Sequence, residues 1–150
     1  MTIEALLQVA CMVSMGIMTG IYVNFSNAMM PTFKEIENGA EIMVTVNDFI
    51  VNPPFKILFF LSAISSAYLA FFASDIDPVF RIGCSLFFVG TFMVTVLRNV
   101  PLNNALRQSV VTQKCVAEVW QGYLRQWVRW NHLRSLSGLA ALTLTVLSNH

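Results

Sequence analysis

Trp127, Asn131 and Arg134 recur at i, i+4 and i+7, so on a helix they share one stripe, which Trp120 and Tyr123 extend toward the N-terminus. An indole, an amide and a guanidinium in a row can hold a planar aromatic that bears an anionic or carbonyl oxygen. The ring stacks, and the cation and the amide donate to the oxygen. Interhelical packing by the same residues is the alternative. Arg125, Arg129 and His132 form a second stripe nearly opposite. His132 is the one internal histidine and the obvious general base near neutral pH. It stands roughly 140° around the helix from Trp127, which turns it toward lipid headgroups or water. Glu118 is a second candidate base, read more simply as favourable charge at a helix start.

Other chemistry-bearing residues have plainer readings. Asp75 and Asp77 could be paired carboxylates, but Asp followed by Pro78 is a helix start signal, and capping is preferred. Met12, Met15 and Met18 could be soft copper ligands; in an apolar run they read as core or lipid-facing side chains. Cys11, Cys84 and Cys115 are scattered with no CxxC, so neither a disulfide framework nor a zinc site follows. No phosphate loop, nucleophile elbow or metal motif is present, and the expectation is a protein without metal or cofactor.

The elements that must carry these residues are membrane spans. Hydrophobic residues make up 56% of the chain and charged residues 11%, too apolar for an ordinary soluble domain. A net charge of +1 gives no field to recruit nucleic acid. Ala5 to Met30 is free of charge and long enough to cross a bilayer. It continues well past a signal peptide's apolar region, and Glu4 stands where such a peptide needs basic residues, so cleavage is not expected. Asn24, Ser26 and Asn27 interrupt its end, and Pro31 marks the exit. Glu41 to Val51 predicts a short amphipathic surface helix with Ile42, Val46, Phe49 and Ile50 on one side. Asn52 with Pro53 and Pro54 opens a second span, and a third ends at Arg98 and Asn99 before Pro101, with RNVPLNNALR as a polar turn. A fourth runs from Trp127 to Asn149. The expected fold is therefore all-α: one integral membrane four-helix domain over 1–150, with spans near 5–30, 55–74, 78–99 and 127–149 and a short amphipathic helix between the first two.

Four antiparallel spans bring Asn24, Asn27, Asn52, Arg98, Asn99, Asn103, Trp127, Asn131 and Arg134 to one mouth of the bundle. Eight of the nine Lys and Arg residues belong to that side, which the positive-inside rule makes cytoplasmic, unless those charges are kept for function. Arg98 and Arg134 each sit at a span end, where an arginine snorkels, pairs, or faces a polar cavity.

NFSNAMMP ending at Pro31, NDFIVNPPF from Asn47 to Phe55, RNVPLNNAL from Arg98 to Leu106, and the W-x-x-x-N-x-x-R of Trp127, Asn131 and Arg134 resemble a family of small four-span membrane proteins that includes the anthrone oxygenases. The resemblance covers nearly the whole chain, and the third and fourth motifs are its specific ones. It implies an oxygenase that works without metal or flavin and converts a fused-ring anthrone to an anthraquinone through a resonance-stabilised carbanion. Such a reaction asks for a base, donors for the enolate oxygen, and an aromatic slot. On this chain Arg134, Asn131, Asn99 and Asn103 would be the donors. Trp127 and Trp120 would be slot walls, with Tyr123, Asn27 and Arg98 completing the binding site. No residue of the motifs supplies the base. The expected partners are membrane lipid and a small lipophilic aromatic (anthrone, phenol or quinol), with room for a homo-oligomer. The expected location is a bacterial inner membrane, crossed several times. A non-enzymatic membrane module that binds a lipid, a quinone or a partner subunit is the alternative function.

Overall fold

The computed structural model describes residues 2–148, and among them five helices follow one another: α1 Ile3–Glu35, α2 Gly39–Ile50, α3 Pro53–Phe71, α4 Pro78–Thr112 and α5 Val116–Leu147. Side-chain caps fix three of their starts. Thr2 accepts from the Ala5 amide, Asn52 from that of Phe55, and Asp77 from those of Val79 and Phe80. Asp77 is thus a cap, as its place before Pro78 predicts, and Pro53 and Pro78 occupy opening turns where no donor is lost.

Two expected helix ends are overturned. The chain does not leave the helix at Pro31 or in the RNVPLNNALR stretch: α1 runs on to Glu35 and α4 to Thr112. A proline inside a regular helix collides with the carbonyl four residues back and leaves it without a donor. Here a wider π-helical turn precedes each proline, Phe25–Met29 in α1 and Thr95–Asn99 in α4. The Met30 amide reaches back five residues to the Phe25 carbonyl, and the Val100 amide to that of Thr95. The ladder is already opened where the proline must fit, so the helix continues. The last helix begins at Val116, well before Trp127, and the expected end at Asn149 lies outside the described residues.

Three helices, α1, α3 and α4, are long and apolar enough to cross a membrane, the make-up of a multi-pass membrane protein. The helix α5 falls short of that apolarity but packs along both α1 and α4, while α3 packs on α1 and α4 in turn. At the closest approaches the side chains are small. A Cβ on Gly90 would overlap Ser137, one on Gly138 would overlap Thr19, and one on Gly83 would come within 2.9 Å of the Ala141 carbonyl oxygen. Small residues that let backbones meet are how helices associate where water supplies no drive. One core, built from Cys11, Met15, Met18, Leu69, Phe80, Phe87 and Ala141, fills this end. A second, with Phe25, Met30, Phe33, Met43, Leu106, Tyr123 and Trp127, lies under α2, which crosses the other end and packs on residues 30–35 and 100–112.

Candidate functional site

Arg134 is buried, at 5% exposure, and has no carboxylate partner; the one ion pair among the described residues joins Arg107 and Asp48. Its Nη1 donates to Thr95 Oγ1 at 3.1 Å and its Nη2 to Asn131 Oδ1 at 2.5 Å. The guanidinium lies over the Tyr22 ring at 4.3 Å and the Trp127 ring at 5.3 Å. Two rings and two neutral oxygens hold the group in place without cancelling its charge.

Beside it is a cavity of about 290 Å³ to which all five helices or their ends contribute. Tyr22 and Phe25 come from α1, Asn47 and Ile50 from α2, Phe55, Lys56 and Phe59 from α3, Thr95, Asn99 and Asn103 from α4, and Trp127 and Arg134 from α5. The space opens because α3 follows α4 closely along Pro78–Met93 but not along the π-turn Thr95–Asn99. A stretched, mostly apolar chamber with a few convergent polar groups is the usual form of a small-molecule site.

Three of the lining side chains carry a buried polar atom with no hydrogen-bond partner: Asn99 Oδ1, Trp127 Nε1 and Arg134 Nε. A fourth such atom, Thr19 Oγ1, sits instead at the α1–α5 contact against Gly138. The Asn99 amide nitrogen donates to the Trp127 carbonyl at 3.4 Å, which fixes the side chain so that its oxygen is the free group. The lining side chains thus hold two N–H donors and one acceptor that have no partner in the protein. Leaving such groups unpaired in a low-dielectric interior is unfavourable by about 1–3 kcal/mol each.

The expected residues separate into two sets. Arg134, Asn99, Asn103 and Trp127 line the cavity together. Asn131 lies behind Arg134, fully buried, and its Nδ2 donates to the Tyr22 carbonyl at 2.8 Å and to Ser26 Oγ at 2.6 Å. It positions the guanidinium and ties α5 to α1. Trp120, Tyr123 and Trp127 form a stack with ring centroids 5.6 Å apart at each step, of which Trp127 alone reaches the cavity. Tyr123 donates to Asn103 Oδ1 at 2.8 Å, and burial raises its phenol above the usual range, so it stays a neutral donor. Arg98 turns outward, 5.0 Å from the Trp130 ring, and Asn27 is exposed; neither meets the cavity.

Tyr22, Thr95, Lys56, Phe55 and Phe59 belong to the cavity without having been read as site residues. Thr95 stands four residues before Asn99, and the spacing that grouped the α5 stripe could have found it. Lys56 is a single charge at a span start, and no spacing in the sequence singles it out. A second, polar chamber of about 470 Å³, with Asp48, Asn104 and Arg107, shares Asn47 and Asn103 with the first. Among the described residues no three His, Cys, Asp or Glu side chains are grouped to hold a metal ion.

The family model described as Anthrone oxygenase matches residues 48–144, well over half of the chain. It takes in α3, α4 and the W-x-x-x-N-x-x-R of α5, and leaves out α1 with its NFSNAMMP stretch. No curated protein and no solved structure matches.

Proposed function

Because the chain belongs to the anthrone oxygenase family, we propose that it is a membrane-embedded oxygenase that needs no cofactor and acts on a planar lipophilic aromatic of the anthrone, phenol or quinol type. The observation that carries this reading is the buried, carboxylate-free Arg134 facing the cavity beside two other unpartnered polar atoms. In an anthrone the ring methylene loses a proton and the charge moves to the carbonyl oxygen. Arg134 and the Trp127 indole N–H are the donors that favour this oxyanion, while Asn99 Oδ1 accepts from a neighbouring hydroxyl. The carbanion then reduces O₂ and combines with it, and the resulting hydroperoxide collapses. The methylene carbon ends as a carbonyl, and the second oxygen atom leaves as water with the two hydrogens.

No carboxylate or histidine lines the cavity. The C–H proton therefore goes to water from the polar chamber behind Asn47 and Asn103, the oxyanion donors having made the methylene more acidic. Lipophilic substrate enters from the bilayer between α3 and α4, where Phe60 joins the cavity to an apolar groove of Phe88, Phe92 and Tyr68.

The whole chain acts as one four-span domain in this reading, with α5 crossing from about Trp127 onward. Its residues 135–147 bear no charge, and Leu136, Leu139 and Leu147 are exposed as lipid-facing side chains are. Helical spans of this kind fit a bacterial inner membrane, since outer-membrane proteins cross as closed barrels. The fully paired Asn131 favours a second reading, in which this polar cluster locks helices and binds a ligand without turnover.

Oxygen uptake with a soluble anthrone, after metal removal and with spontaneous oxidation subtracted, tests the proposal. Wild type should exceed background, and Arg134→Ala should lose a factor of about 100 or more, as on removal of an oxyanion donor. No uptake above background, with only a lower melting temperature in the variant, would refute turnover and leave the binding reading.

A further inference from the structure

We propose that the cavity selects planar aromatic acids, with Lys56 pairing with an acid group at the rim while Arg134 holds an oxygen at the floor; this deepens the function proposed above and rests on it. Two lining side chains carry charge, and both are cations. No Asp or Glu lines the cavity, and the carboxylate of the adjoining chamber, Asp48, is already paired with Arg107. The Lys56 ammonium has no hydrogen bond or ion pair to any described residue. A cation beside an apolar chamber at a span start either climbs to the headgroups or meets a ligand's negative charge.

The two cations reach the cavity from different helices, α3 and α5. Helices α3 and α4 are antiparallel neighbours; Phe59 of α3 meets Phe92 of α4 at 5.2 Å, which sets Lys56 about level with Thr95, the residue that Arg134 bonds. A lysine stem is long enough to take its ammonium a turn toward the polar end, away from the guanidinium. Phe55, Phe59 and Trp127 line the same chamber as ring-sized apolar walls. A molecule that satisfies this chamber is flat and apolar in the middle, with an oxygen at one end for Arg134 and a carboxylate or phenolate at the other for Lys56. A neutral anthrone meets the first requirement alone.

The test is binding, which requires no turnover. The protein is placed in nanodiscs of zwitterionic phosphatidylcholine, and energy transfer from its tryptophans reports binding of anthracene-2-carboxylate or of anthracene-2-carboxamide. Wild type should bind the acid about fivefold more tightly than the amide, the scale of a partly exposed ion pair. Lys56→Gln should erase that preference and Lys56→Arg should keep it; the position is exposed, so both variants should fold. A preference that survives in Lys56→Gln, or one absent from wild type, overturns the proposal, the latter leaving Lys56 to lipid headgroups. Failure of every variant to bind either probe would overturn this inference together with the aromatic-binding site beneath it. Acid-selective binding without oxygen uptake would sustain the inference and refute turnover.

Discussion

The two ends of the bundle handle their buried uncharged polar side chains differently. At the end of Cys11, Leu69 and Phe80 the buried hydroxyls bond back to their own helices: Ser14 to the Ala10 carbonyl at 2.8 Å, Ser65 to that of Leu61 at 2.6 Å, Ser66 to that of Ala63 at 3.1 Å. At the cavity end the bonds cross between helices: Asn131 to Tyr22, Arg134 to Thr95, Asn99 to Trp127, Tyr123 to Asn103. Self-bonded hydroxyls leave a helix free to pack by shape alone. Cross-helix bonds fix register and orientation, and they concentrate where a charge must be held without a counter-ion. The first end has a cross-helix anchor of its own, Arg81 donating to the Ala70 and Ala73 carbonyls at 2.9 and 2.7 Å, but its buried serines add none, whereas the cavity end is tied by side chains from several helices and holds the unpartnered atoms Asn99 Oδ1, Trp127 Nε1 and Arg134 Nε.

The contrast is broken most severely by adding volume at the close-packed helix contact. Gly90→Leu puts a branched side chain where Ser137 already stands, and α4 cannot separate from α5 without opening Gly83 against Ala141 as well. Overpacking of this kind destabilises by about 3 kcal/mol. The folded monomer should be largely lost on size-exclusion chromatography in detergent. Gly122→Leu, where a Cβ meets nothing within 4 Å, should elute as wild type. Equal behaviour of the two variants would show that packing does not hold the α4–α5 contact.

A smaller perturbation sharpens the same comparison. Asn131→Ala removes both bonds to α1 and one acceptor from Arg134, and should weaken folding by roughly 1–2 kcal/mol, near the upper range for interhelical hydrogen bonds. Ser66→Ala at the other end removes a bond to its own helix and gains helix propensity, so its change should stay within about 0.5 kcal/mol. Thermal unfolding in one detergent measures both. If the serine variant lost as much as the asparagine variant, the distinction between the ends would fail.

Several of these features were legible in the chain itself. The caps at Asn52 and Asp77, the family motifs and the alignment of Trp127 with Arg134 depend on local spacing, which a sequence carries directly. The continuation of α1 past Pro31 and of α4 past Pro101 was not legible, since it depends on a π-turn one residue upstream of the proline. Asn99 faces inward while Arg98 stacks outward on Trp130, as successive residues on a helix diverge by about 100°. Asn131 shares the stripe of Trp127 and Arg134, but α1 comes close enough to claim its amide, and no spacing within α5 announces where α1 lies. Lys56 acquires meaning only from the cavity that the diverging helices leave beside it.

The smallest effect is expected at the boundary between the polar chamber and water. Asp48 on α2 pairs with Arg107 on α4, and the side chains are 41% and 56% exposed. Solvent and salt screen such a pair, so Asp48→Asn should change stability by no more than about 0.5 kcal/mol. Its signature lies in salt dependence. Raising salt from about 10 mM to 1 M should lower the wild-type melting temperature slightly and leave Asp48→Asn less affected, because the screened attraction is already gone. A large loss in the variant at any salt would mean that α2 is held over the cavity end by this pair. The burial of Ala40 and Met43 against Phe33 and Leu106 predicts instead that apolar contact holds α2 there and the ion pair only trims its position.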